Sequence, residues 1–277
     1  MRFVDFIKGL KAPIYFTSIS PVLVGWAETH FESSFLIPLL FVVTVSMQAG
    51  MNLAMDYYDH ANSIPLRNED TLFPLGSYFI EKLGVSPQAI RIAFIILMAL
   101  AISVGLLVVY ITMSMFLLAL GLVAVFLSLL YVIPPIKLGS RGVGEISTFF
   151  SFGPFPVLGT MIALHHPVDF TAILVSLSLG LLASAIRYLH HLPEDRSDGR
   201  RVRYFRTVYP VMLISASIMI SVISGVEIAA IIVFIASLVH ILYLPKYPLR
   251  VARQTNYSAG IHFLFTVSVI LSILFLS

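Results

Sequence analysis

SFLIPLLFVVTVSMQAGMNLAMDYYDH, residues 34–60, decides the fold. The stretch is uncharged until its last turns, which carry Asn52, Asp56, Asp59 and His60. An apolar run of about 20 residues is the length a helix needs to cross a bilayer. A second run, residues 169–190, ends the same way, in His190-His191-Leu-Pro-Glu194-Asp195-Arg-Ser-Asp198. Carboxylates are costly at the edge of a membrane, so clusters of them there mark functional positions by default.

The rest of the chain agrees with a membrane location. Of its 277 residues, 58% are hydrophobic and 11% charged, and the mean hydropathy is +0.96. A soluble domain would carry about a quarter charged residues. Nine apolar segments are long enough, or nearly so, to span: roughly residues 13–29, 34–58, 89–111, 113–133, 143–165, 169–190, 207–224, 226–245 and 257–276. The expected fold is an all-α integral membrane protein, one domain over residues 1–277. The segment at 143–165 holds Glu145, Gly153, Pro154, Pro156 and Gly159. That composition predicts a kinked helix packed inside the bundle, where neighbours satisfy the freed backbone groups. No cleavable signal is expected, because the first apolar stretch comes late and lacks a small-residue cleavage site. With no cysteine, disulfides, thiolate chemistry and Cys-ligated metal sites are excluded.

Charge then sets orientation. With nine spans, the N-terminus and the even-numbered loops hold all 17 Lys and Arg residues. The opposite side carries only Glu28, Glu32, Asp169 and Glu227. The positive-inside rule places the basic side, and with it both acidic clusters, in the cytoplasm.

In the first cluster Asn52, Asp56 and Asp59 stand at i, i+4 and i+7, on one helical face. Hard cations such as Mg²⁺ take oxygen ligands and bind through one or two carboxylates plus substrate phosphates. Two such clusters would hold divalent metal around a group carrying several negative charges, such as a diphosphate. The bland alternative is a helix that merely ends in acids at the interface. Acids at a helix C-terminus oppose the macrodipole, so that alternative is poorly motivated. In the second cluster His190, Glu194 and Asp198 repeat the four-residue spacing, with His191 and Asp195 as a parallel set one residue on. Which set faces the bundle stays open. Pro193 should bend or end the helix. Arg187, Arg196, Arg200, Arg201, Arg203 and Arg206 flank the cluster. Most read as an ordinary basic loop, with one or two facing phosphate, which guanidinium suits. His240 and His262 lie inside spans. With no second pair to ligate haem, they read as satisfied or pathway-lining histidines.

These residues resemble the UbiA superfamily of intramembrane prenyltransferases. Asn-x₃-Asp-x₂-Asp at the end of the second span resembles its first signature, and Asn52 to His60 is closest to the menaquinone-type branch. Four further stretches are similar to that branch. They are Lys11-Ala-Pro through Pro21-Val-Leu-Val-Gly25, Pro134-Pro-Ile-Lys137 through Arg141-Gly-Val-Gly-Glu145, Phe152-Gly-Pro-Phe-Pro-Val-Leu-Gly159, and His190 to Asp198. In the last, His190 and Glu194 stand where the family commonly has Asn and Asp.

The resemblance implies nine transmembrane helices in a single bundle around a central cavity open to the cytoplasmic side, with a lateral opening to lipid. It implies transfer of a polyprenyl group from its diphosphate to a lipophilic aromatic acceptor. By branch, that acceptor is 1,4-dihydroxy-2-naphthoate, in menaquinone biosynthesis. Two Mg²⁺ ions would be held by Asn52, Asp56 and Asp59 on one side and Glu194 and Asp198 on the other, with Asp56, Asp59 and Asp198 the catalytic carboxylates. Lys11, Lys137, Arg141 and Arg201 would bind the diphosphate, and His190, His191 and Asp195 would be neighbours of the second motif. The protein would sit in the cytoplasmic membrane of a prokaryote, with membrane lipid and no nucleic acid as partner. Alternatives are the same chemistry on a hydroxybenzoate, haem, chlorophyllide or glycerophosphate ether lipid, or a degenerate lipid-binding homologue. A transporter fits less well, because the charges gather at one face and not at mid-membrane.

Overall fold

The structure is a computed structural model that describes residues 3–67, 74–140, 143–192, 200–245 and 254–275, and it is all-helical over them apart from one isolated pair of bridged residues. The helices are α1 (Phe3–Leu10), α2 (Phe16–Ala27), α3 (Leu36–Ala61), α4 (Pro87–Thr112), α5 (Met115–Val132), α6 (Gly144–Ser151), α7 (Pro154–Ala163), α8 (Phe170–His190), α9 (Arg200–Ser221), α10 (Glu227–Leu242) and α11 (Thr255–Phe275). Their starts follow local chemistry. Ser86, Ser114 and Asp169 each accept a hydrogen bond from a backbone N–H three residues on, and Pro87 fills the first position of α4.

Seven helical stretches are long and apolar enough to cross a membrane, with α6 and α7 counted together. The chain is an integral, multi-pass membrane protein. The first and eighth expected spans are covered by shorter apolar helices, α2 of 12 residues and α10 of 16. At 1.5 Å per residue these are roughly 18 and 24 Å long, short of a straight crossing. The backbone explains the shortening. Before α2 the chain makes a 3₁₀ turn at Ala12–Ile14, and after it His30 and Phe31 take positive φ angles of 51° and 56°. Such angles end a right-handed helix whatever the hydropathy of the segment.

The most enclosed span is α8, with 78% of its apolar window buried, against 11% for α4 and 17% for α5. It therefore forms the centre, and α4 and α5 turn most of their surface outward. The largest apolar core joins α2 and α7–α11 through residues such as Val24, Val157, Leu182, Leu213 and Phe265. The expected kink at 143–165 is a full break at Phe152–Gly153 between α6 and α7. There the backbone presses against α8: a Cβ at Gly153 would lie 2.4 Å from the Ser176 carbonyl oxygen, and one at Gly180 would lie 2.5 Å from that of Phe149. Small residues that let backbones approach are the usual adhesive of membrane helices.

Candidate functional site

The last two turns of α3 build the site from the spacing already noted. Asp56 and Asp59 point inward, 5% and 7% exposed. A buried carboxylate must be paired or hydrogen-bonded, and each has its own partner. After α3 the chain doubles back, with Arg67 and Leu75 exchanging two backbone hydrogen bonds of 2.9 and 3.0 Å. Gly76, at φ +85°, then turns the chain back toward α3. The Ser77 hydroxyl donates to Asp56 Oδ1 at 2.8 Å and the Phe79 N–H to Oδ2 at 3.0 Å. One turn on, His60 pairs instead with Glu81 on the exposed side. Phe79 and Ile80 pack on Leu53 and Ile90 under this return segment.

Asp59 meets a cation from far along the chain. Lys137 Nζ lies 3.0 Å from Asp59 Oδ1, and both side chains are largely buried. Lys137 has a φ of +40° and Lys11 one of +54°, so both lysines sit in left-handed conformations that side chains rarely adopt. Such outliers gather at functional sites. Lys11 is near enough to act by charge on the Asp56 carboxylate. Its turn is fastened to α3, where Asn52 Nδ2 donates to the Leu10 carbonyl at 3.2 Å. One helical turn deeper, Gln48 Oε1 accepts from the Ser18 hydroxyl.

The second cluster is reached through α8. That helix ends at His190, with His191 as its C-cap. His190 and His191 are buried, their rings edge to face with centroids 4.9 Å apart. Glu194, Asp195 and Asp198 lie outside the described residues, as does Arg141. Arg201 stands in the first turn of α9, and its side chain is likewise outside the description. Among the described residues, no group of three or more His, Asp or Glu side chains gathers closely enough to hold a metal.

Arg187, grouped by sequence with the basic loop that follows α8, belongs to the bundle instead. It is 6% exposed. Its Nε donates to the Tyr131 hydroxyl at 2.8 Å, its Nη1 to Glu145 Oε1 at 2.6 Å and its Nη2 to the Gly139 carbonyl at 2.5 Å. Together with the Lys137–Asp59 pair, these bonds gather the C-terminal ends of α3, α5 and α8 on one side of the bundle. Helix C-termini carry partial negative charge and favour cations. His240 and His262 correct their reading as satisfied side chains. His240 Nε2 and both ring nitrogens of His262 are buried with no hydrogen-bond partner, while His240 does line a small cavity with Tyr243 and Tyr257 between α10 and α11.

A cavity of about 330 Å³ runs from Asn52, Met55 and Tyr131 to Leu40, Val108 and Leu117 near the opposite ends of the helices. From Met55 to Leu40 is roughly 22 Å along α3. Gln48, Ser147 and Thr148 add polar groups to its wall, and most of the remaining lining is aliphatic.

No family model matches the chain. In sequence it is similar to curated proteins of known name. It is 27% identical to the 1,4-dihydroxy-2-naphthoate octaprenyltransferase of Haemophilus influenzae, over 63% of this chain and 57% of that protein. It is 25% identical to the Mycobacterium tuberculosis protein of the same name, over 72% of this chain and 67% of that one. The alignment thus spans little more than half of the first relative's length. In fold the chain is similar to a digeranylgeranylglyceryl phosphate synthase, with a TM-score of 0.64 at 13% identity, covering 98% of this chain and 99% of that one. It is also similar in fold to a UbiA homologue from Archaeoglobus fulgidus, with a TM-score of 0.58 at 12% identity, covering 96% and 99%.

Proposed function

We propose that this chain, a relative of the UbiA-type intramembrane prenyltransferases, transfers a polyprenyl group from its diphosphate to 1,4-dihydroxy-2-naphthoate. The observation that carries the reading is the long apolar cavity that reaches Asn52, on the helix face that bears the buried pair Asp56 and Asp59. That arrangement suits a molecule with a strongly anionic head and a long hydrocarbon tail. The sequence relatives named for a naphthoate acceptor support the choice of acceptor.

The residues fit Mg²⁺. Asn52, Asp56 and Asp59 offer hard oxygen donors on one face of α3, with both carboxylates buried as a bound cation would require. Two ions are proposed, shared with Glu194 and Asp198. Bound Mg²⁺ would neutralise charge developing on the leaving diphosphate. Lys137 and Lys11, with Arg141 and Arg201, bind diphosphate oxygens. The C–O bond to the prenyl group breaks with its electron pair leaving on the diphosphate, and the apolar wall keeps water from the allylic cation. A nucleophilic ring carbon of the acceptor then attacks the cation to form the new C–C bond, and the ring regains aromaticity by losing the group that carbon carried, a proton to solvent or the carboxylate as CO2. Residues 1–277 act as one domain, with α2 and α10 completing nine membrane passages and the site at the cytoplasmic face. The segregation of Lys and Arg supports that orientation.

The test is release of inorganic diphosphate from a polyprenyl diphosphate by purified protein supplied with the naphthoate. Release should stop on treatment with EDTA and return with excess Mg²⁺. Metal-independent release would overturn the metal assignment.

A further inference from the structure

Arg187 joins four pieces of the chain. It leaves the last turn of α8, three residues before His190, and its three donor nitrogens reach the end of α5 at Tyr131, the loop at Gly139 and the start of α6 at Glu145. The side chain also lies over the Tyr131 ring, with Cζ 5.2 Å from the ring centre. One turn earlier on α8, the Ser184 hydroxyl donates to the Glu145 carbonyl at 2.9 Å. The cradle leaves no slack: a Cβ at Gly144 would lie 2.3 Å from Arg187 Nη2. A charged side chain this buried in a membrane protein is costly, and a simple helix-to-helix tie would not need three different acceptors.

What the cradle holds is the loop that carries Lys137. Gly139, whose carbonyl Arg187 grips, is two residues beyond Lys137. Lys137 in turn keeps its strained backbone angle with its ammonium 3.0 Å from Asp59. The path therefore runs from the helix that leads into the second acidic cluster, through Arg187 and Gly139, to the cation over the first cluster. We infer that Arg187 is a positioning residue. Its three nitrogens are all engaged by protein groups, and it sets the height of Lys137 over Asp59 and registers that loop against α8, so that the ammonium is held where a diphosphate would meet the first cluster. The inference rests on the reading of Lys137 as a diphosphate ligand.

The test is a double-mutant cycle on the full-length protein in detergent, reading the affinity for inorganic diphosphate with Mg²⁺ by calorimetry. Lys137→Met alone should weaken binding by about tenfold or more, the scale of a lost charge-assisted hydrogen bond. Arg187→Met should weaken it by a similar factor in the native background, and by less than about twofold when Lys137 is already Met, because coupled residues are non-additive. Arg187→Lys should not restore binding, since an ammonium cannot reproduce the guanidinium fork. Gly144→Ala, which displaces the guanidinium while keeping it, should act like Arg187→Met and serves if that variant does not fold. Factors that multiply independently, or native affinity in both Arg187→Met and Gly144→Ala, would overturn the positioning role. Native affinity in Lys137→Met would overturn the reading of Lys137 itself, a separate result.

Discussion

Lys137 Nζ stands 3.0 Å from Asp59 Oδ1, joining two residues 78 positions apart in the chain. The ammonium is a compact charge beside the first cluster, of the kind that attracts phosphate oxygens. Its position depends on a left-handed backbone, which costs about 1–2 kcal/mol for a residue with a side chain. Replacing Lys137 by Met should raise KM for the prenyl diphosphate about 10- to 100-fold, the worth of one or two charge-assisted contacts. Lys137→Arg should retain part of the affinity. Steady-state kinetics at varied donor concentration reads the effect, and an unchanged KM would contradict the role.

Asp56 and Ser77 separate metal binding from its support. Asp56→Asn removes an anionic ligand and should lower Mg²⁺-dependent diphosphate release about 10²- to 10³-fold, the range seen when one electrostatic contact to a transition state is lost. Ser77→Ala removes only the hydroxyl that donates to Oδ1 and should cost about tenfold or less. Equal losses in the two variants would mean that Asp56 serves the fold rather than the chemistry.

The placing of the first cluster was legible because charge inside apolar sequence has few innocent explanations, while the carboxylates of the second lie outside the described residues. The first showed its geometry through the i, i+4, i+7 spacing, and α3 carries that spacing inward as expected. Ser77 was not legible. Nothing in a sequence pairs a serine in a return loop with an aspartate 21 residues earlier. Arg187 was legible in principle: an arginine inside an otherwise apolar run needs a partner, and Glu145 is an acid inside another apolar run. It was lost by being counted with the basic loop that follows. The lengths of α2 and α10 were hidden for a different reason. Hydropathy windows see apolar side chains and not the backbone angles at His30, Phe31 and Gly225 that end or delay a helix.

The crossing of α8 with the α6–α7 break depends on Gly153. Any side chain there meets the Ser176 carbonyl and the Gly180 backbone. Gly153→Val should lower the thermal midpoint in detergent sharply or abolish folding, since overpacking costs about 1–3 kcal/mol even where side chains can move. Gly121→Ala is the matched control, because a Cβ there meets nothing within 4 Å. It should be neutral or stabilising by up to about 1 kcal/mol through helix propensity. Similar behaviour of the two variants would contradict the close crossing.

Orientation can be read by labelling, because the chain has no cysteine of its own. Ser63→Cys, exposed just past α3, should react with a membrane-impermeant maleimide only in inverted vesicles. Ser33→Cys, exposed between α2 and α3, should react only from outside intact cells. The reverse pattern would place the acidic site on the other face of the membrane.

The central claim is prenyl transfer itself. Purified protein, labelled geranylgeranyl diphosphate and Mg²⁺ should be incubated with a panel of acceptors: 1,4-dihydroxy-2-naphthoate, a hydroxybenzoate and a glycerophosphate ether lipid. The products are then identified by mass. The account predicts a prenylated naphthalene product, lost in Asp56→Asn. Label transferred only to another acceptor would contradict the naphthoate assignment, and tight diphosphate binding with no product from any acceptor would contradict the enzyme.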